Sequence, residues 1–387
     1  MSIPSCTFSA FMILAVASSL SQVAFAAANT QQTVSYIVEF APQVTDNMNT
    51  GLRIAQSHGG KVKYHYRRVI HGFAVQIPAV AEKAFVTAMS RNPLVANIER
   101  DQVITSEVTT QTNATWGLDR IDQRNLPLNT TFNSDASGTG SNVYVVDTGI
   151  LASHNELSGR VLPGYSVVTD GYGTTDCNGH GTHVAGTIAG VRYGVAKAAS
   201  VIPVRVLDCN GSGSTSGVIA GIDWVVAQNP ARAIVNMSLG GVASTALDSA
   251  VTKATNAGLV VVVAAGNNNA NACNYSPARV SSAITVGATT STDGRASYSN
   301  YGKCLDLFAP GSNITSAWYS SASTYATLNG TSMATPHVAG FAAILRSLYP
   351  GESVSQISSR LLNLSTPNKI SSVGLGSPNR LLYSRLY

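Results

Sequence analysis

Three polar residues occupy positions in the chain where each could take part in chemistry. Asp147 follows the apolar run of residues 142–146, so we expect it at the carboxyl end of a buried strand. His180 begins a small-residue helix and has a glycine on either side. Ser332 lies at the start of a second small-residue helix, where free backbone N–H groups can stabilise developing negative charge. Together these residue types can supply a nucleophile, a general base and a group that orients the base.

Two other kinds of site fit parts of this pattern less well. Asp147-Thr148-Gly149 is the triplet of aspartic proteases, but those enzymes use two carboxylates and the sequence has no second Asp-Thr-Gly or Asp-Ser-Gly. His180 and His183 could ligate zinc, but the zinc-protease helix has histidines four apart with a glutamate between them. We therefore expect neither site, and we assign His183 a structural role.

Apolar runs alternate with helical patterns in the second part of the chain, and these elements must position the three residues. The predicted strands are residues 143–146, 201–206, 233–237, 259–264 and 283–286. The predicted helices are residues 181–189, 215–228, 245–257 and 331–348, and a last amphipathic segment covers residues 354–364. Continuous apolar strands between helices indicate a parallel sheet that is covered on both faces. The predicted fold class is α/β, a three-layer α/β/α arrangement with a mainly parallel sheet.

An earlier stretch of the chain is predicted to form a separate, small α+β unit. Its predicted strands are residues 33–40, 61–70, 72–78 and 95–104, and its predicted helices are residues 46–57 and 79–91. The order βαββαβ is that of a ferredoxin-like fold. Residues 105–113 are polar and lack periodicity, so we expect an exposed linker there.

Composition and the N-terminal residues bear on the partners and the location of the protein. Charged residues are only 11% of the chain, and its net charge of +5 comes without a dense Lys/Arg run, so we expect no nucleic-acid partner. Residues 1–26 have a short apolar core that ends in Ala24-Phe25-Ala26, a small-x-small cleavage signal. That core is too short to span a bilayer, so we expect a secretory signal peptide, an extracellular protein and no membrane association.

The cysteines fit an exported protein. Cys6 would leave with the signal peptide, and Cys177, Cys209, Cys273 and Cys304 would remain. An even number after export favours disulfides, and no pair has the C-x-x-C spacing of a zinc site. Counting alone leaves three pairings open.

Three motifs in fixed order carry a family resemblance. They are Val-Val-Asp-Thr-Gly-Ile at residues 145–150, His-Gly-Thr-His-Val-Ala-Gly-Thr at 180–187 and Gly-Thr-Ser-Met-Ala-Thr-Pro-His at 330–337. They resemble the signatures of subtilisin-like serine proteases, in which the order is Asp, His, Ser. The resemblance runs through residues 116–387, where the chain looks like the secreted proteinase K subfamily. Residues 36–104 are similar to the inhibitory propeptide of that family.

This resemblance implies a precursor in three parts. They are a signal peptide of residues 1–26, an inhibitory propeptide of residues 27–110 that also aids folding, and a peptidase domain of residues 111–387. The enzyme would cut its own chain near Thr110-Gln111. Its substrates would be proteins and peptides, and we expect a monomer with no organic cofactor.

The resemblance also implies a role for each matching residue. Ser332 would be the nucleophile, His180 the general base and Asp147 the group that orients the imidazole. Asn267 would donate its side-chain N–H to the tetrahedral oxygen.

Two backbone segments would line the substrate cleft and pair with an extended peptide. They are Ser238, Leu239, Gly240 and Ala264, Ala265, Gly266. Small residues there predict a broad endopeptidase with apolar or aromatic preference. The chain lacks the Gly-x-Ser-x-Gly elbow of lipases, and a silent relative that only binds peptides is the alternative from the binding class.

Metal and disulfide assignments follow from the same resemblance. A structural calcium site would use Asp306 with the backbone carbonyls of Ser281 and Ala283. A second calcium site, specific to a subgroup, would use Asp119, Asp122 and Gln123, but Asn129 replaces a carboxylate of that set. The implied disulfides are Cys177–Cys209 and Cys273–Cys304. Val184 occupies the position of the free thiol that another subgroup carries beside its catalytic histidine.

Overall fold

The structure is a computed structural model, and it describes residues 33–44, 47–68, 70–102, 109–230 and 233–386. The chain divides into two compact units, Met1–Gln102 and Val103–Tyr387. The predicted signal peptide lies outside the described residues. Within the described ranges, no helix combines the length and the apolar character needed to cross a membrane.

The first unit is a four-stranded antiparallel sheet with two helices. Its elements in chain order are β1 (Thr33–Phe40), α1 (Asn47–Ser57), β2 (Lys61–Tyr66), β3 (Gly72–Pro78), α2 (Glu82–Ser90) and β4 (Val95–Arg100). The strand order is β2-β3-β1-β4. Alternate residues of β1 point into an apolar core that includes Phe73 and Phe85, because successive side chains of a strand face opposite sides.

The element order of this unit is the predicted one, and three boundaries differ. Strand β2 ends at Tyr66 and β4 at Arg100, both earlier than predicted. The predicted helix of residues 79–91 is a 3₁₀ turn, Ala79–Ala81, followed by α2. The proline at position 78 begins this turn, and 3₁₀ geometry is common where a helix starts.

The second unit holds the remaining elements. Its strands are β5 (Thr109–Thr112), β6 (Thr131–Ser134), β7 (Asn142–Asp147), β8 (Tyr165–Ser166), β9 (Ser200–Arg205), β10 (Ile234–Met237), β11 (Gly241–Val242), β12 (Val260–Ala264), β13 (Tyr275–Ser276), β14 (Ile284–Thr289), β15 (Leu307–Pro310), β16 (Ile314–Ala317), β17 (Tyr325–Leu328), β18 (Thr366–Pro367) and β19 (Arg380–Leu381). Its helices are α3 (Trp116–Ile121), α4 (His180–Ala189), α5 (Thr215–Ala227), α6 (Thr245–Asn256), α7 (Thr331–Leu348) and α8 (Val354–Leu364).

Nine of these strands form one sheet, in the order β18-β19-β15-β14-β12-β10-β7-β9-β8. All neighbouring strands in it are parallel except the terminal pair β18–β19. Val143 and Val145 of β7 pack in the core that contains α4 and α7, whereas Tyr144 and Val146 pack in the core that contains α5 and α6. The sheet is therefore buried on both faces, which confirms the three-layer α/β/α prediction.

The predicted linker is partly wrong. Residues 103–108 lie outside the described ranges, but Thr109–Thr112 forms β5, which pairs antiparallel with β6. The side chains of Thr109, Thr110 and Thr112 are exposed, as predicted. Because no apolar residue alternates with them, the sequence carries no pattern that would indicate a strand. Threonine favours extended backbone, and the pairing partner is about twenty residues away in sequence.

Candidate functional site

Asp147 and His180 are brought together at the carboxyl end of β7. The imidazole Nδ1 of His180 lies 2.7 Å from Asp147 Oδ1, and the backbone N–H of Thr148 donates to the same oxygen at 2.8 Å. The Asp147 side chain is fully buried, whereas the His180 side chain is 25% exposed. One ring nitrogen of His180 is therefore held by a carboxylate, and the ring still has an exposed edge.

Two glycines allow the His180 loop to approach its neighbours this closely. Gly179 has a φ of 112°, and a Cβ there would come within 2.6 Å of the Trp318 ring. A Cβ on Gly181 would lie 2.1 Å from the carbonyl oxygen of Gly149. The glycines that flank His180 in the sequence are thus required by close backbone packing.

Electrostatics favour the protonated form of His180. Burial lowers its pKa, but the charge of Asp147, the hydrogen bond to Asp147 and the charge of Asp176 together raise it above its ordinary value. A base with a raised pKa binds a proton more strongly, and the imidazolium it forms is stabilised by the carboxylate behind it.

Ser332 is the second residue of α7, so its backbone N–H lies in the first turn, where no helical acceptor exists. This N–H has no acceptor within the described chain. Pro336 cannot donate to the Ser332 carbonyl, four residues earlier, and the hydroxyl of Ser238 donates to it instead at 2.8 Å. The Ser332 hydroxyl donates to the Ser238 carbonyl at 3.0 Å. Among the described residues, no hydrogen bond joins Ser332 to His180, although both line the same cleft.

Asn267 is held by its carbonyl oxygen. Asn267 Oδ1 accepts the backbone N–H of Thr331 at 2.8 Å and the Thr331 hydroxyl at 2.9 Å. Its amide Nδ2 has no acceptor in the described ranges, and it borders the same cleft as Ser332. Two N–H donors, from the Asn267 side chain and the Ser332 backbone, are therefore available at one place.

The cleft itself has a volume of about 810 Å³, and all six residues that we predicted to line it do so. Ser238, Leu239 and Gly240 directly follow β10, and Ala265 and Gly266 directly follow Ala264, the last residue of β12. No Asp, Glu, Lys or Arg is among the described residues that line the cleft. This uncharged lining suits an extended peptide with neutral side chains.

One wall of the cleft was not predicted from the sequence. Residues 210–215, with the sequence Asn-Gly-Ser-Gly-Ser-Thr, line the cleft after the carboxyl end of β9. The sequence did contain a signal for this part of the cleft. A Gly/Ser run follows a parallel strand at the edge of the sheet where ligands bind. Thr148 and Thr331, which contact Asp147 and Asn267, were also missed as positioning groups.

His183 contacts only structural elements. Its Nε2 lies 3.0 Å from the Ile314 carbonyl and 3.2 Å from the Ala326 carbonyl, and burial lowers its pKa to about 4. A neutral imidazole that bonds to backbone carbonyls fits the structural role that we assigned to it.

The four cysteines form the two disulfides implied by the family resemblance, Cys177–Cys209 and Cys273–Cys304. The first joins the segment that precedes His180 to the segment that precedes the unpredicted cleft wall. Among the described residues, the one cluster of three potential metal-binding side chains consists of these two cysteines and Asp170. Because both sulfurs are in the disulfide, this cluster is not a thiolate metal site.

The two predicted calcium sites differ in their surroundings. Asp306 is mostly buried, and burial raises its pKa to about 6 against the lowering effects of a Thr285 hydrogen bond and the charge of Arg380. In the second set, Asp119 accepts the backbone N–H groups of Asn129 and Thr130 at 3.3 and 2.6 Å.

The other acidic member of the second set is also engaged. Asp122 Oδ2 accepts two bonds from Asn133, and the Gln123 amide donates to the carbonyls of Asn125 and Pro127. These groups bond to protein through some of their atoms, while Asp122 Oδ1 is buried without a hydrogen-bond partner among the described residues.

Comparison with known proteins gives consistent results. Residues 138–379 match the model of the Subtilase family. The extracellular serine proteinase of Thermus sp. (strain Rt41A) is 56% identical over 333 residues, which are 86% of this chain and 80% of that relative. The alkaline serine exoprotease A of Vibrio alginolyticus is 53% identical over 298 residues, and the match covers 76% of this chain and 55% of that relative. A solved cold-adapted subtilisin-like serine proteinase matches with a TM-score of 0.69 and 54% identity, over 71% of this chain and 99% of that one.

Proposed function

This chain belongs to the subtilase family of serine endopeptidases, and on that premise we propose that it cleaves proteins through a triad of Asp147, His180 and Ser332. The observation that carries the proposal is the 2.7 Å hydrogen bond between His180 Nδ1 and Asp147, with Ser332 in the same cleft. A serine hydroxyl is a weak nucleophile at neutral pH and needs such a base.

The catalytic cycle uses the contacts described above. The Ser332 hydroxyl leaves the Ser238 carbonyl and donates to His180 Nε2, which takes the proton as Ser332 Oγ attacks the substrate carbonyl. The new C–O bond places negative charge on the carbonyl oxygen, where the Asn267 amide and the Ser332 backbone N–H donate to it. His180 then gives the proton to the leaving amine, and water hydrolyses the acyl-enzyme by the same steps in reverse order.

Substrate preference follows from the walls of the cleft. Segments 238–240 and 264–266 continue two neighbouring parallel strands, so an extended peptide can add between them as a strand. Small and uncharged lining residues favour apolar or aromatic side chains at the residue before the cleaved bond. Hydrolysis of a peptide series with Phe, Leu, Lys or Glu at that residue tests this, and Lys or Glu as the best substrate would contradict it.

The central test uses a serine-directed phosphonylating reagent. The purified enzyme should hydrolyse a generic protein, and the reagent should stop hydrolysis while adding its mass to the peptide that contains Ser332. Loss of activity with the label on another residue, or full activity after labelling, would reject the triad. Binding of peptides without any hydrolysis would instead support the silent alternative.

The enzyme is proposed to be secreted as a zymogen that processes itself. Residues 1–26 would direct export, residues 27–110 would fold as a transient inhibitor and folding aid, and residues 111–387 would form the mature monomer. The length of the solved relative, 99% of which aligns with 71% of this chain, agrees with a mature region of that size. Expression of full-length Ser332→Ala should yield a protein uncut near Thr110-Gln111, whereas efficient cutting there without added protease would exclude self-processing.

Calcium is proposed to bind at Asp306. The mostly buried Asp306 carboxylate with a raised pKa is favourable for a cation, because a bound ion would hold it in its charged form. The backbone carbonyls of Ser281 and Ala283, just before β14, would supply neutral oxygen ligands of the kind calcium prefers. Bound calcium would stabilise the folded domain and take no part in the chemistry.

A further inference from the structure

Asp176 lies just before α4, and both of its carboxylate oxygens accept several hydrogen bonds. Oδ1 accepts the Thr148 hydroxyl at 2.9 Å and the backbone N–H groups of Asn178 and Gly179 at 2.9 and 2.8 Å. Oδ2 accepts the backbone N–H and the hydroxyl of Thr182 at 2.9 and 2.6 Å. The side chain is buried, with 3% of the residue exposed. Since these donors are all uncharged, dipoles and the positive end of α4 stabilise the carboxylate.

The donors come from the two segments that carry the proposed base and its orienting acid. Thr148 directly follows Asp147 at the end of β7, and Thr182 lies two residues after His180 in α4. The Thr148 hydroxyl also accepts the backbone N–H of Gly181 at 2.9 Å. Asp176 therefore links the end of the strand to the first turn of the helix on both sides of the 2.7 Å contact.

We infer that Asp176 is a positioning residue that holds His180 against Asp147 by joining β7 to α4 through Thr148 and Thr182. The inference rests on the triad proposed above. Asp176 is not among the described residues that line the cleft, whereas Thr148 is, so Asp176 acts through its partners and does not touch the substrate. Loss of the link would let the imidazole move relative to Ser332, and small misplacements of a catalytic group are costly.

The charge of Asp176 gives a readout that a purely structural role would not move. The charged and titratable groups facing His180 are Asp147 from β7, Asp176 from the preceding loop and His183 from α4. Arg205 of β9 lies behind them, with its Nε donating to the Thr148 carbonyl at 3.1 Å. Asp176 raises the pKa of His180, so its removal should shift the acid limb of kcat/KM to lower pH.

The test measures kcat, KM and the pH profile on a soluble peptide substrate. Asp176→Asn should lower kcat by about 10-fold to 100-fold with KM within about 3-fold, and move the acid limb to lower pH. Thr148→Val removes the link but keeps the carboxylate, so it should lower kcat without moving the acid limb. Thr148→Ser keeps the hydroxyl, so its kcat should stay within about 2-fold of wild type.

The matched control is Asp293→Asn, which breaks the buried ion pair with Arg120 without a contact to the His180 loop. It should lower stability but leave kcat and the acid limb unchanged. Wild-type kcat and acid limb in Asp176→Asn, or equal loss in Thr148→Ser and Thr148→Val, would overturn the inference. If Asp176→Asn does not mature, the comparison of Thr148→Val with Thr148→Ser tests the inference. Failure of the triad itself is distinguishable, because Ser332→Ala would then remain active.

Discussion

The two units of this chain bury very different side chains. The described residues of the first unit bury an apolar core that includes Tyr36. Thr50 is the one polar residue that they bury in addition. The second unit buries aspartates, arginines and histidines, including Asp147, Asp176 and His183. Burying such groups is costly unless each finds partners. The first unit thus folds around an almost entirely apolar core. The second unit also holds polar side chains in fixed positions, which lowers its stability unless hydrogen bonds compensate.

If the chemistry lies in the second unit, the largest effect should come from Ser332→Ala. We expect kcat to fall by about 10⁶-fold, as is typical when the nucleophile of such a triad is lost. The matched control is Ser347→Ala on the same helix, whose hydroxyl donates to the Thr139 carbonyl. Because Ser332→Ala should not cut itself, an added protease first cuts it near Thr110-Gln111 and is then removed. Activity of this purified variant above about a thousandth of wild type would show that Ser332 is not the nucleophile.

Asp147→Asn should have the next largest effect, a fall in kcat of about 10⁴-fold. Because Asp147 raises the pKa of His180, the remaining activity should show its acid limb at lower pH than wild type. Measurement of kcat/KM against pH checks the sign. The control is Asp248→Asn on α6, which removes a carboxylate paired with Arg279. It should leave the pH profile unchanged. An acid limb at higher pH would mean that another group is being titrated.

Asn267→Ala should lower kcat by about 10²-fold to 10³-fold with little change in KM, because its amide bonds the oxygen only as charge develops. Asn268 offers a direct comparison, since its backbone N–H bonds Asn300 Oδ1 and its side chain has no such anchor by Thr331. Asn268→Ala should cost much less. If steady-state kinetics showed a larger fall in kcat for Asn268→Ala than for Asn267→Ala, Asn268 would be the donor to the oxyanion.

A buried histidine should make the second unit sensitive to acid. Burial lowers the pKa of His337 to about 4, against about 6.5 in an unfolded chain. The unfolded state therefore binds the extra proton first, so the free energy of unfolding should fall as pH drops from about 6.5 to about 4, by about 3 kcal/mol from this group. Denaturant unfolding of Ser332→Ala with and without His337→Gln isolates the effect, since the other groups titrate in both. Parallel pH profiles would show that His337 contributes nothing.

The smallest effect should come from calcium, since it stabilises the fold and does not act in the reaction. Excess calcium should slow thermal inactivation of the wild type, and chelation should reverse this, because a ligand of the folded state raises apparent stability with its concentration. Asp306→Asn should lose most of the calcium response. Equal inactivation rates for both proteins, with and without chelator, would remove Asp306 from the list of ligands.

The sequence was most informative where a residue type and its place in the chain were both restricted. Asp147 after an apolar strand and His180 between two glycines were predictable, because a parallel sheet brings strand ends and helix starts to one edge. The spacing of 33 residues could not give the 2.7 Å contact, which depends on the close approach of Gly179 and Gly181.

Features that depend on contacts across the fold could not be found from the sequence. Asp176 is one of several aspartates in loops, and only the positions of Thr148 and Thr182 distinguish it from a turn residue. Asp119 and Asp122, expected as calcium ligands from the family resemblance, accept hydrogen bonds from Thr130 and Asn133, and the sequence alone could not give these contacts.

Strand β5 has a consequence for the order of events in maturation. The bond proposed for cleavage, Thr110–Gln111, lies inside this strand, with Thr110 opposite Asn133 and Gln111 opposite Phe132. A protease cleft binds an extended segment through the same backbone groups that β6 uses. One stretch of chain thus has two mutually exclusive partners, and cutting must come before β5 pairs, or must wait until it opens. On the proposed pathway, pairing would then withdraw the new N-terminus from the cleft, so that this end would not compete with later substrates. Residues 27–110, the proposed inhibitor, would still have to leave.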